Sequence, residues 1–232
     1  MDENSKHNNK KTFLDVDLDN IDLVNTNPNN YQNYNNKGQE SNIIKEKIKN
    51  IKPYKFEEDN YLKVFKISNN DEIIHNLSSF SSKALYRSHQ SFNKNLTFYN
   101  CVVDENAYFY KFFKDIVLKY IDFPNKDKLE PSRSYINLHR YGYPGAWHTD
   151  GPGLGPTILV YVNKIWDIKW QGQTGFCIDK TNNKVQNVDC IPGNIVVFNP
   201  NIYHRAFDVS TDAMINNVER YTLAYHTYFS DN

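Results

Sequence analysis

The chain has 232 residues, 39% of them hydrophobic and 15% aromatic, enough for one ordinary domain with additions around a buried core. Lys+Arg and Asp+Glu both number 27, so the formal charge is zero and the basic footprint of a protein that lives on nucleic acid is missing. Cys101, Cys177 and Cys190 form no CxxC pair and no even framework, which argues against a zinc cluster or disulfide scaffold and for reduced thiols in an intracellular protein. The first residues carry no apolar leader core and no apolar run approaches membrane-spanning length, so a soluble, intracellular, most simply cytoplasmic protein is expected.

In chain order, residues 1–50 are rich in Asn, as in Asn27-Pro28-Asn29-Asn30, and have too few apolar groups to offset the entropy of ordering. They read as a mostly disordered tail with two apolar islands, Phe13 to Leu18 and Ile43 to Ile48. Deleting residues 1 to about 45 is therefore expected to leave melting behaviour intact, and a large fall in melting temperature on truncation would show that an island belongs to the fold.

Residues 51–130 read as a supporting region. Asn70 or Asp71 can cap a helix whose Ile73, Ile74, Leu77 and Phe80 fall at helical spacing. A strand over Leu96 to Val103 follows, and Asp104 then caps a second helix with Phe109, Phe112, Phe113, Ile116, Val117 and Tyr120 on one stripe. These helices are expected to buttress the outside of a sheet. Pro124-Asn125-Lys126-Asp127 ends the unit.

Residues 131–232 change to short β runs, at about 134–141, 146–150, 157–163, 174–179, 184–189, 194–198, 203–209 and 219–229. Short strands with Gly, Pro and Asn between them imply an α+β, mainly β, fold built as a sandwich or a jelly-roll barrel, and the pattern alone does not choose between these.

Within that region, His148 and Asp150 stand two apart, which on an extended strand turns both to one face and lets an imidazole nitrogen and a carboxylate oxygen reach one metal ion. His204 supplies a distant second imidazole, and Arg220 follows. Two His and one carboxylate with open positions left over is the ligand set of non-haem Fe(II) enzymes. Taken singly, an Asp after a strand is a turn cap and a buried His is a core residue; in this order, metal binding is the better reading.

These residues sit in a longer set: His139-Arg140-Tyr141-Gly142-Tyr143-Pro144-Gly145 before His148-Thr149-Asp150-Gly151, then Thr157 to Asn163, Trp166 to Phe176, Pro192 to Phe198, Tyr203-His204-Arg205 and Arg220-Tyr221-Thr222-Leu223. Over Arg133 to Phe229 the chain resembles the iron(II)- and 2-oxoglutarate-dependent dioxygenases, and among them the prolyl 4-hydroxylase group. The resemblance implies a double-stranded β-helix and the cofactors Fe(II), 2-oxoglutarate and O2, with ascorbate as reductant. It also implies hydroxylation of a C–H bond coupled to decarboxylation of 2-oxoglutarate to succinate and CO2. His148, Asp150 and His204 would be the metal ligands and the catalytic centre. Arg220 would hold the far carboxylate of 2-oxoglutarate by two parallel hydrogen bonds, with Thr222 on the same strand face, Tyr161 against the same carboxylate, and Tyr141 or Tyr143 on the other side. Arg205 neighbours His204 and so points to the opposite face. His226, six residues after Arg220, and Trp147, next to the first ligand, would line the substrate side, while Trp166 and Trp170 pack.

Related halogenases lack the carboxylate ligand, so Asp150 argues for hydroxylation. The substrate would be a protein or peptide, proline first, with a small molecule, a free amino acid or a nucleobase as alternatives. The nucleobase is disfavoured because the Arg-x-Asn-x-Thr-x-Arg pattern of that subgroup is missing here. From another class, a non-catalytic β-barrel binding module would keep the site as a relic. Two departures from the group stand out: Arg220 where collagen-type enzymes commonly carry Lys, and a wide gap after His204 that contains Ser210 to Asn217, which reads as a polar loop.

Overall fold

The computed structural model describes residues 51–67, 71–90, 97–104, 106–151 and 153–230, so the Asn-rich tail and its apolar islands lie outside the described residues. The elements are β1 (Leu62–Lys66), α1 (Asp71–Lys83), β2 (Arg87–Gln90), β3 (Thr97–Val102), α2 (Ala107–Phe112), a π turn (Phe113–Val117), α3 (Leu118–Tyr120), β4 (Leu129–His139), β5 (Thr157–Tyr161), β6 (Thr174–Asp179), β7 (Lys184–Val188), β8 (Asn194–Phe198), β9 (Tyr203–Ala206), α4 (Thr211–Ile215) and β10 (Arg220–Phe229).

Among the described residues ten antiparallel strands form two sheets, a seven-stranded one in the order β1-β8-β5-β10-β4-β3-β2 and a three-stranded one in the order β7-β6-β9. Apolar residues from both make one core, with Leu159, Tyr161, Val196, Phe198 and Ala224 from the large sheet and Phe176 and Val188 from the small one. Phe176 and Phe198 meet edge to face at 5.0 Å between centroids, a favoured aromatic geometry. This is the jelly-roll arrangement.

Strands β5 and β8 are buried at every position, which is why their sequences run apolar without alternation. The outer face of the large sheet is covered by the helices. Tyr225 donates its hydroxyl to the Phe109 carbonyl at 3.0 Å and stacks obliquely on Phe113 at 4.9 Å, and Ile73, Ile74 and Leu77 of α1 are buried. Among the described residues no helix is long and apolar enough to cross a membrane.

Several local expectations are corrected. Asp104 does not cap the second helix. Its carboxylate accepts from the Ser134 backbone N–H instead, and Asn106 caps α2 by accepting from Tyr108 N at 3.0 Å. The strand expected at 134–141 begins earlier, at Leu129, and includes Pro131; the partner strand shifts register between His226 and Thr227, opposite the residue that has no N–H to offer. The segment 146–150 is no strand. It runs between Gly142 (φ +80°) and Gly151 (φ +86°) and touches the small sheet through a single bridge from His148 to His204. The polar loop Ser210 to Asn217 contains α4, capped by Ser210 Oγ accepting from Ala213 N at 3.3 Å. The edge strand β1, alternating with lysines, was not foreseen; short, lysine-bearing strands are how sheet edges are blunted.

Candidate metal centre and co-substrate pocket

Three backbone pairs pin the ligand segment to the sheet edge. His148 N donates to His204 O at 3.0 Å, His204 N returns to His148 O at 2.9 Å, and Asp150 N donates to Pro200 O at 2.9 Å. The side chains of His148, Asp150 and His204 then converge, each offering one ligand atom with all of these within 4.8 Å of one another. Asp150 Oδ1 lies 3.7 Å from His148 Nε2 and 3.8 Å from His204 Nε2.

The surrounding bonds leave the right atoms free. His148 Nδ1 lies 2.9 Å from Ala146 O and His204 Nδ1 lies 2.9 Å from Ile202 O. A carbonyl oxygen only accepts, so each Nδ1 carries the proton and each Nε2 keeps its lone pair for a metal. Asp150 Oδ2 accepts from Thr157 Oγ1 at 2.8 Å, which fixes the carboxylate with Oδ1 toward the imidazoles. Burial works to raise the Asp150 pKa, but His226, His204, the Thr157 hydroxyl and His148 outweigh it and hold the carboxyl below its usual range. Burial lowers the His204 pKa, against the pull of Asp150. Both groups are thus deprotonated near neutral pH, as metal ligation requires. The His148 side chain is 52% exposed whereas those of Asp150 and His204 are 6% and 7%, so the set is closed behind and open in front.

Deeper in the barrel lies Arg220, 1% exposed. Its Nε donates to Cys190 Sγ at 3.0 Å, Nη1 to His139 Nδ1 at 3.0 Å and to Thr222 Oγ1 at 3.2 Å, and Nη2 to Thr174 Oγ1 at 2.7 Å. Tyr161 lies under the guanidinium, its hydroxyl 2.7 Å from Thr174 Oγ1. His139 is held neutral, its pKa lowered well below the usual value by burial, by Arg220 and by His148; the Cys190 thiol is raised by burial. Every partner of the guanidinium is therefore uncharged, and among the described residues no carboxylate pairs with it. A buried cation without a counter-ion is costly.

The expected residues separate as follows. Arg220, Tyr161 and Thr222 are brought together. Tyr141 is not with them: it is 42% exposed on the turn at Gly142, and the buried place beside Arg220 is taken by His139. His226 lies next to the metal-type site, hydrogen-bonded to Tyr135 Oη at 2.8 Å. Trp147 stacks on Tyr203 at 6.3 Å and under Arg205 at 5.8 Å, so Arg205 faces away from the pocket, as the alternation implied. Trp166 packs against Gly172, where the chain (φ +72°) lies under the Arg220 side chain. Sequence reasoning missed His139, Thr174 and Cys190. The signal for His139 is cross-strand, since it is the register partner of Arg220.

One structural prediction arises here. A Cβ at Gly153 would come 2.1 Å from Pro200 Cγ, and Pro200 O holds Asp150 N. Gly153→Ala is expected to push the Pro200 turn and loosen Asp150, weakening metal affinity about 10-fold, the low end of the effect of losing support behind a ligand. A metal titration of the variant with unchanged affinity would show that the Pro200 turn absorbs the methyl without moving Asp150.

No protein-family model matches this sequence, and no curated protein does. In fold, the chain is similar to a prolyl hydroxylase from Trichoplax adhaerens solved with a hypoxia inducible factor oxygen degradation domain peptide fragment, at TM-score 0.54 and 13% identity over 81% of this chain and 88% of that one. It is also similar to the non-haem alpha-ketoglutarate-dependent epimerase SnoN from nogalamycin biosynthesis, at TM-score 0.53 and 11% identity over 71% of this chain and 76% of that one. A prolyl-4-hydroxylase from Pseudomonas putida aligns at TM-score 0.34 and 19% identity over 43% of this chain, which spans only 51% of that enzyme. The fold is the double-stranded β-helix of the 2-oxoglutarate-Fe(II) oxygenases.

Proposed function

We propose that the protein is an Fe(II)- and 2-oxoglutarate-dependent oxygenase that hydroxylates a C–H bond, with a peptidyl residue, proline first, as substrate. The observation that carries this is the pairing of the two sites. An open His-Asp-His set with its Nε2 and Oδ1 atoms free stands in the same barrel as a buried Arg220 that has only neutral partners. A dicarboxylic keto acid fits both, one carboxylate toward Arg220 and the other end toward the metal.

In this reading His148, Asp150 and His204 hold Fe(II), and Thr157 and the two backbone carbonyls orient them. Arg220, with Thr222, Thr174 and Tyr161 around it, binds the far carboxylate, and neutral His139 fixes the guanidinium from its other edge. The bound iron supplies the oxidising chemistry, using O2 and 2-oxoglutarate and giving succinate and CO2. Phe176 and Phe198 flank His204 and keep water from its buried side. His226 faces the substrate, whereas Trp147, packed against Tyr203, Arg205 and Phe207, lies on the other side of the ligand segment.

The fold likeness to a prolyl hydroxylase bound to a peptide supports the peptidyl substrate. A small-molecule substrate is the second reading, favoured by the likeness to SnoN, which has been solved with nogalamycin RO. Purified protein given Fe(II), ascorbate and 2-oxoglutarate is expected to release succinate, and more of it with a substrate present. The absence of succinate under all of these conditions would return the chain to a non-catalytic binding module.

A further inference from the structure

Beyond the metal, the same inner face of the large sheet carries a second group of polar residues. In register across β4, β10 and β5, Arg133 pairs with His226 and His226 pairs with Thr157. Thr157 is the residue that holds Asp150, so this row runs from the metal-type site to Arg133. Two interstrand spacings of about 4.8 Å place the Arg133 backbone roughly 10 Å from that of Thr157. Tyr135 follows Arg133 on the same face. Its ring packs against the barrel core, its hydroxyl bonds His226, and the Arg133 guanidinium lies over it at 4.7 Å.

Arg133 lies over the Tyr135 ring, and among the described residues no hydrogen bond of its N–H groups is seen, so the guanidinium can still take a carboxylate side-on. The acids on neighbouring elements are already engaged. Glu130 is taken by Lys114 and Tyr110, Asp104 accepts from the Ser134 N–H, and Asp150 belongs to the metal-type site. Among the described residues Arg133 has no ion pair. It is half-buried, and the Tyr135 ring is a weak substitute for the carboxylate its charge could take.

Resting on the oxygenase reading above, we infer that Arg133, backed by Tyr135 and His226, is the specificity-determining residue for a substrate that carries a carboxylate close to the C–H bond to be hydroxylated. The separation along the row is that of an amino acid or of two adjacent residues in a peptide. The carboxylate belongs either to a free amino acid or to an acidic side chain beside the target residue, and the recognition chemistry is the same for both.

The experiment measures succinate release from 2-oxoglutarate by the full chain with Fe(II) and paired probes. One arm uses free L-amino acids against their primary amides. The other uses acetyl-prolyl-aspartyl amide against acetyl-prolyl-asparaginyl amide. In at least one arm the acid is expected to stimulate turnover at least 10-fold more than its neutral twin. Arg133→Gln is expected to bring that ratio close to one, with the neutral probe serving as the internal control for folding, and Arg133→Lys is expected to restore part of it. The inference is overturned if neither arm prefers the acid, or if Arg133→Gln leaves the ratio unchanged. Loss of succinate release even without a probe marks failure of the oxygenase reading itself, since probe-free turnover needs the metal and Arg220 sites but no substrate.

Discussion

His148→Ala is expected to abolish substrate hydroxylation and succinate release while leaving the melting temperature of the metal-free protein almost unchanged. The side chain is half exposed and its one hydrogen bond is to a carbonyl two residues away, so removal costs the fold little, within about 0.5 kcal/mol as for other exposed positions. The backbone bridge to His204 does not involve the imidazole and survives. On the proposed assignment one of three ligand atoms is lost, and the two that remain are expected not to hold iron at assay concentrations. Asp150→Ala and His204→Ala are expected to lose activity equally, but with a larger stability cost, because each is buried and hydrogen-bonded. Titration with Co(II), read by its visible absorption, separates lost binding from lost chemistry. Full activity of His148→Ala at limiting iron would remove that residue from the ligand set.

How far the sequence carried can be judged from the same residues. The long strands after residue 131 were legible because their apolar runs are bounded by Gly, Pro and Asn. The choice between sandwich and jelly roll was not, because β5 and β8 are buried on both faces and lose the alternation that would show which side is the interior. The convergence of His148 and Asp150 was legible from their spacing taken together with His204 and Arg220 downstream, although the reason for it is different from the one expected. The segment is not a strand; it is held by the His148–His204 bridge and the Asp150–Pro200 bond, both long-range in sequence. His139 was invisible as a partner of Arg220, since the β4–β10 register that places them opposite is written nowhere locally. Tyr141, two residues on, was the nearer guess by residue type, but the strand ends at His139 and the chain turns outward. Asp104 lost the helix cap to Asn106 for a related reason: a tertiary bond to the Ser134 N–H claimed its side chain.

Arg220→Met is expected to separate co-substrate binding from metal binding, which the ligand variants lose. A carboxylate held by two parallel charge-assisted bonds is worth about 3–4 kcal/mol, so the 2-oxoglutarate requirement should rise roughly 10²–10³-fold with Fe(II) affinity nearly unchanged. For the fold itself, an arginine this deep with only neutral partners carries a desolvation cost that its hydrogen bonds do not fully return. A methionine of similar length removes that cost but leaves Thr174, Thr222 and His139 to find other partners, and Thr174 already has the Tyr161 hydroxyl at 2.7 Å. The metal-free variant should therefore melt near the wild-type temperature. The clearer readout is the ligand response. Wild-type protein with Mn(II) is expected to gain about 2.7 kcal/mol at a 2-oxoglutarate concentration 100 times its dissociation constant, and the variant at that same concentration should gain almost none. If Arg220→Met keeps the full thermal shift while Arg205→Ala loses it, the co-substrate carboxylate sits elsewhere, and the buried guanidinium serves only to tie β10 to β4 and β6.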